Sequence, residues 1–402
     1  MKTAHRPLIL SAILVLISLL VFDCDDGDPS VGPPSICIWQ KLGSDLRVTS
    51  AVNDSWFPSL SWTGSEFGVS WQDYRNGSPE IYFARVSAAG AKLGSDLRVT
   101  SDANWSGYPS LAWTGSEFGV SWMDDRDGNP EIYFGRISST GTKIGADVPI
   151  TNDSNIWLTY SGWNSLAWTG SEFGLSWMGY RDNLEGEIYF ARVSSSGAKI
   201  GADVRITNDA KASMVPSLAW TGSEYGVSWM DEDPGNYEIY FARISADGTK
   251  IGADVRITNA TGGREYPSLV WTGSEYGVSG EDNRDGNYEI YFARISGSGT
   301  KIGADVRITN DANYSGILSL VWTGSEFGVS WMDDRDGNDE IEIYFASISA
   351  SGTKIGADVR ITNDANDSYF PSLAWAGSEY GVSWMDRRDG NWEIYFARIG
   401  CQ

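Results

Sequence analysis

Two kinds of side chain in this sequence recur at spacings that could do chemistry. The first is aspartate. In turns such as Asp124-Asp125-Arg126-Asp127-Gly128-Asn129 and Asp333-Asp334-Arg335-Asp336-Gly337-Asn338, carboxylates alternate around a glycine. Alternating oxygens at a glycine turn are one way to hold Ca²⁺, which makes Asp124, Asp127, Asp333 and Asp336 candidate ligands. Two features weigh against this. An arginine separates the aspartates, and no glutamate follows where a bidentate ligand would close the loop. A tight hairpin turn asks for the same residues, because Asp accepts bonds from nearby backbone N–H groups. The turns are expected to be structural, with calcium the weaker alternative and no cofactor.

The second kind is aromatic. Trp56, Phe57, Trp105, Tyr108, Trp157, Trp163, Tyr266, Tyr314, Tyr369 and Trp392 stand among Asn, Asp and Ser, in segments that differ from one another along the chain. Aromatic faces beside polar groups suit stacking on a sugar, and equally a protein–protein hot spot. Other chemistry is excluded by composition. The single histidine, His5, lies at the extreme N-terminus, so a His base or a Ser-His-Asp triad is not expected. A net charge of −23 argues against phosphate-backbone binding, and 41% apolar residues argue against disorder.

These residues are carried on a repeat. Ser-Leu-(Ala/Ser/Val)-Trp-(Thr/Ala)-Gly-Ser-Glu recurs seven times, with its tryptophan at Trp62, Trp113, Trp168, Trp220, Trp271, Trp322 and Trp375. Most copies continue with (Phe/Tyr)-Gly-(Val/Leu)-Ser-Trp, an Asp-rich turn, Glu-Ile-Tyr-Phe, a Gly turn and Lys-Ile-Gly-Ala-Asp-Val-Arg-Ile-Thr. Short β-branched and aromatic runs between Gly, Asn and Asp are strands and hairpins. In the clearest copy the strands are expected at Pro109–Trp113, Glu117–Trp122, Glu131–Ser138 and Asp147–Thr151. The third is apolar on both faces, so its sheet must be stacked between neighbours. The expectation is all-β: a seven-bladed β-propeller with four-stranded antiparallel blades. The chain opens with a lone fourth strand, Asp45–Thr49, and ends after a third, so the N-terminal strand completes the C-terminal blade and closes the ring. Cys37 and Cys401 fall at one repeat position, one from each end, which predicts a disulfide at the closure.

The full unit, from Arg-Ile-Thr through Pro-Ser-Leu-Ala-Trp to Asp-Arg-Asp-Gly-Asn-x-Glu-Ile-Tyr, resembles the WD-repeat-like blade of the TolB family over residues 41–400. Its repeats are about ten residues longer than that family's, and Thr-Gly-Ser-Glu replaces the family's Ser-Pro-Asp-Gly turn. The resemblance implies a periplasmic or surface propeller that engages other proteins. Lys2, Arg6 and the apolar run Leu8–Phe22 read as an export signal over 1–23. Cys24 after it resembles a lipoprotein acceptor, with Asp23 where a small residue is usual, and 24–36 reads as a tether ahead of a propeller at 37–402. Thirteen of the 19 tryptophans sit at two repeated strand positions and are assigned to packing between blades. Glu131, Glu238, Glu289 and Glu393 occupy near-identical environments, which disfavours an acid–base pair. From sequence the chain is therefore expected to be a monomeric, non-catalytic binding or scaffold module, lipid-anchored in a bacterial envelope. It would use the face carrying the inter-blade loops and Asp turns. The partner would be an envelope protein or, alternatively, a surface glycan bound in lectin fashion. No nucleic acid is expected, and no membrane contact beyond the anchor.

Overall fold

The computed structural model describes residues 37–402 apart from 102–103, 153–162, 181–184, 209, 234, 260–261, 337–339 and 365. The export signal, Cys24 and the tether lie outside the described residues, as does Trp157. Seven four-stranded antiparallel sheets are present, each in the order inner, second, third, outer. The first blade comprises Ser55–Trp62, Glu66–Asp73, Glu80–Ser87 and Lys92–Arg98. The seventh takes three strands from the C-terminus and its outer strand, Trp39–Arg47, from the N-terminal side. Cys37 and Cys401 are disulfide-bonded at this closure, which fits an oxidising, non-cytoplasmic compartment. Among the described residues no helix is long and apolar enough to cross a membrane.

Four strand limits differ from expectation: the second strand runs on to Asp124, the outer strand stops at Pro149, and two strands start early. Outer strands begin earlier, at Lys143 rather than Asp147, because Gly145 is not a turn but a bulge within the strand, with φ 73° and a register shift at Phe134/Arg136. Inner strands also begin earlier, at Ser106 rather than Pro109, again across a bulge.

Three circuits tie each blade to the next, and all three close. Around the channel each blade's Ser-Leu serine accepts a hydrogen bond from the next blade's leucine N–H. Leu111 donates to Ser59 and Leu166 to Ser110, and so on to Leu60 on Ser372, at 3.0–3.2 Å. At mid-radius the Phe-Gly motif is explained. A β-carbon at Gly68 would overlap the Phe118 ring of the second blade, and the series returns with Phe67 over Gly381. At the periphery each outer-strand lysine donates to a carbonyl of the preceding blade, ending with Lys41 on Ile361 at 2.7 Å. The second-strand tryptophans Trp71, Trp122, Trp177, Trp229, Trp331 and Trp384 are fully buried between blades.

Candidate functional site

At the bulge in the inner strand, six non-glycine residues have positive φ, between 40° and 55°: Phe57, Tyr108, Val215, Tyr266, Ile317 and Phe370. For β-branched Val215 and Ile317 this conformation is costly. It turns the side chains toward the axis at the loop end of the channel. There Phe57 lies 4.5 Å from Tyr108 and 4.8 Å from Phe370. Trp163, at the same repeat position in the third blade, reaches Tyr108, Tyr266, Phe370 and Phe57 at 5.8–6.5 Å. Rings from five blades therefore converge, all half-buried. Phe57, Tyr108, Trp163 and Phe370 line a hollow of about 200 Å³ together with Pro58, Ser59, Asn164, Ser319 and their neighbours, and among the described residues no charged side chain lines it.

Of the aromatic residues singled out in the sequence, Phe57, Tyr108, Trp163 and Tyr266 are brought together here. Trp56, Trp105 and Tyr369 stand behind these rings, 6.0 Å from Phe57, 5.7 Å from Tyr108 and 6.5 Å from Phe370, and with Tyr314 and Trp392 they make a second layer. Trp56 packs edge-on to Tyr74 at 4.8 Å, and Tyr369 stacks on Trp392 at 5.0 Å. Trp105 and Tyr314 come from two residues earlier in the repeat than Trp56 and Tyr369. They fill comparable space because the intervening positions are Gly107 and Gly316, where a β-carbon would collide with them. Phe370 belongs to the mouth but was not singled out, nor were Val215 and Ile317. The signal was available: five of these residues, Phe57, Tyr108, Val215, Tyr266 and Phe370, immediately precede the repeated Pro-Ser-Leu.

The Asp turns are saturated by the protein. Both Asp124 oxygens accept bonds from Ser106, the Trp122 indole and the Arg126 backbone and guanidinium, at 2.6–3.0 Å. Burial pushes this carboxyl up, but the bonds from Arg126 and Trp122 outweigh it and hold it below its ordinary value. Asp333 has the matching set from Ser315, Trp331 and Arg335. Asp127 accepts from Tyr133, and Asp336 pairs with Arg360 at 2.8 Å. Each turn arginine also lies over a tyrosine, Arg126 on Tyr133 at 4.3 Å. Among the described residues no group of three or more His, Cys, Asp or Glu could hold a metal.

The fifth blade departs from this plan. Gly280 stands where the other six carry tryptophan, and Arg264 where the other six carry serine. Arg264 is 0% exposed. Its Nε donates to Asp282 at 2.8 Å, replacing the missing indole N–H, and its Nη1 reaches Glu238 of the fourth blade at 3.3 Å. The next residue of each strand differs too. Glu265 and Glu281 are cross-strand partners, and Glu281 occupies a place held by methionine in five other blades. Its carboxyl is 2% exposed and leaves Oε1 without a hydrogen-bond partner. Burial, reinforced by Glu265, pushes it up to about 8.

Another departure, Ser347 in the row of third-strand arginines, has a local cause. Elsewhere this arginine forks onto a glutamate, as Arg85 does on Glu66 at 2.6 Å, and in several blades, Arg85 on Thr140 among them, it also reaches the next blade's outer hairpin. The seventh blade has no such hairpin, because its outer strand comes from the N-terminal side. Trp39 takes the place, 4.9 Å from Tyr380 and bonded to Glu326.

No family model and no curated protein matches the chain. Among solved structures, a protein of unknown function from Dyadobacter fermentans aligns at TM-score 0.58 with 10% identity over 90% of this chain and 99% of its own. The phage phi92 endosialidase aligns at 0.54 with 8% identity over 91% and 69%. A neuraminidase-like protein of a little yellow-shouldered bat isolate aligns at 0.50 with 8% identity over 91% and 99%. These matches show the propeller fold, and they correct one expectation. The chain was placed among non-enzymes, yet its architecture is shared with propellers from enzymes, so that exclusion does not stand.

Proposed function

We propose that the chain is an exported TolB-like propeller, anchored through Cys24, whose channel mouth docks a segment of a partner protein. The observation that carries this is the convergence of Phe57, Tyr108, Trp163 and Phe370, with Tyr266 against Trp163, on a hollow with no charged side chain among the described residues of its lining. An apolar aromatic centre inside a polar rim is the anatomy of an interface hot spot. The positive-φ bulges that aim these rings cost stability, and such strain concentrates at functional positions. A second reading, a neutral saccharide end stacked on the rings, is favoured by Ser59, Ser319 and Asn164 around the hollow. The absence of Lys and Arg from that lining does not serve an anionic ligand.

The test is binding of the protein and its Trp163→Ala variant to a displayed random-peptide library and to a glycan array. Peptides enriched by the parent and lost by the variant are expected. Glycan binding lost by the variant, with no peptide enrichment, would replace protein docking with the saccharide reading.

A further inference from the structure

The cleft between the fifth and sixth blades opens beside the mouth and differs in character from its counterparts. Where the first and second blades face each other with Trp56, Tyr74 and Trp105, this cleft presents Glu265, Glu281 and Tyr288 from one side and Tyr314 from the other. Tyr288 donates to Glu265 at 2.8 Å. Glu281 accepts from the Tyr314 hydroxyl and from the backbone N–H of Ile317, itself a mouth residue. Glycine at 316 is what lets Tyr314 and Glu281 meet. Glu265 and the Tyr288 hydroxyl lie toward the surface, with Glu281 beneath them.

Charge balance is the anomaly. In the blades, buried and half-buried carboxylates are mostly matched to arginine or lysine, as Glu66 is to Arg85 and Glu80 to Arg98; Glu326, whose arginine is replaced by Ser347, is held by Trp39 and Tyr380 instead. Among the described residues neither Glu265 nor Glu281 is paired with Lys or Arg. Arg264 points from the opposite face of the sheet toward Asp282 and Glu238. Two adjacent carboxyls, one with a buried oxygen lacking any partner, make a site short of one cation. A metal ion is poorly served, because Ca²⁺ takes six to eight oxygens and only two carboxyls stand here. An organic cation is well served, because tyrosine faces add attraction to a desolvated ammonium.

We infer that this cleft receives the ammonium of a lysine carried by the docked partner segment, next to the apolar side chain that fills the mouth. The inference rests on the mouth being a docking site for a protein segment. Net charge supports it, since a chain at −23 attracts basic segments. The groups facing Glu281 are Glu265, Tyr266 and Tyr314, with Tyr288 across Glu265; none is cationic. A lysine ammonium arriving there displaces the proton that Glu281 holds at neutral pH.

The probes are a capped Phe-Lys-Phe peptide and the same peptide with norleucine for lysine, titrated calorimetrically at pH 7.5 into the full chain in two buffers of different ionisation heat. The lysine peptide is expected to bind at least tenfold more tightly, with net proton release. That preference is expected to vanish in Glu265→Met/Glu281→Met, which installs residues carried at these positions by other blades (Met214, Met123) and so preserves packing. Equal binding of the two peptides, no binding of either, or a preference surviving in the double variant would overturn the inference. Trp163→Ala separates it from the docking reading. If both peptides bind equally and both are lost with Trp163, docking stands without the lysine site. If the lysine preference survives that variant, the acidic cleft stands without the mouth.

Discussion

The second and fifth blades are built from the same strands and differ at four neighbouring positions. The second buries Trp122 and Met123 against its neighbours and holds Asp124 with Ser106. The fifth puts glycine and glutamate in place of the first two and Arg264 in place of the serine. On one face of the sheet the exchange is compensated, because Arg264 gives Asp282 the N–H that the indole would have given. On the other face Glu281 accepts bonds from Tyr314 and Ile317 but gains no cationic partner, and it is left as a buried carboxyl beside Glu265. A copied scaffold tolerates a change that keeps its hydrogen bonds; an uncompensated one in the same blade marks the place where something other than folding is served.

The largest effect follows from breaking the compensated face. Arg264→Ser takes one of two guanidinium partners from Asp282, which keeps Arg284, and from Glu238, which keeps Arg256, and leaves a void where a tryptophan would be. A loss of about 2–4 kcal/mol is expected from the void and the lost charge-assisted bonds, read as a fall in the urea midpoint. Adding Gly280→Trp converts the blade to the common plan and is expected to recover most of it. A double variant no more stable than the single one would show that arginine and indole are not equivalents.

The seam of the ring is the other place where the repeat is broken, at Ser347 and Trp39, and there a covalent bond is added. Cys401→Ser is expected to cost about 2–4 kcal/mol, the typical worth of a disulfide, against an upper value of about 6 kcal/mol on the loop-entropy model for so long a loop. An unchanged midpoint would mean that strand pairing, Trp39 and the Lys41–Ile361 bond hold the seam unaided.

The uncompensated face has a pH signature. The folded state holds the Glu281 proton up to about 8, against an ordinary value of 4.5. The folded protein therefore binds more protons than the unfolded one between these values, and stability is fully present below about 4.5 and falls as pH rises toward 8. The slope reaches at most about 1.4 kcal/mol per pH unit. Glu281→Met is expected to flatten that limb and raise the midpoint at pH 8. A limb of equal slope in the variant would place its origin elsewhere.

How much of this could be read from the sequence depends on whether a feature repeats. Seven copies made the blades, their order and the closure legible, and the shared repeat position of Cys37 and Cys401 predicted their pairing. Outer-strand limits were misplaced because Gly145 looks like a turn residue and acts as a bulge. The mouth was half legible. Phe57 and Tyr266 advertise themselves as aromatic, but nothing in a residue type announces that Val215 and Ile317 adopt positive φ. Gly280 was visible as a missing tryptophan, whereas its link to Arg264, sixteen residues earlier, is cross-strand and appears only once strands are paired. Trp56 and Trp105 looked like parts of a variable loop, yet they fill comparable space from different positions, a constancy that alignment by residue number conceals.

The smallest expected effect tests how far the fifth blade's divergence extends. Ser59 in the first blade accepts the Leu111 N–H at 3.1 Å, and Ser268 in the fifth accepts that of Leu320 at 3.2 Å. Both belong to the closed circuit around the channel, and neither touches the exchanged positions. Removing one hydroxyl leaves one half-buried N–H to find water, which costs about 1 kcal/mol. Ser59→Ala and Ser268→Ala are therefore expected to lower the urea midpoint by the same amount. A larger loss at Ser268 would mean that the exchange at Arg264 and Glu281 has loosened the inner ring as well. Equal losses would confine the divergence to the loop-side half of the blade, where the mouth and the acidic cleft lie.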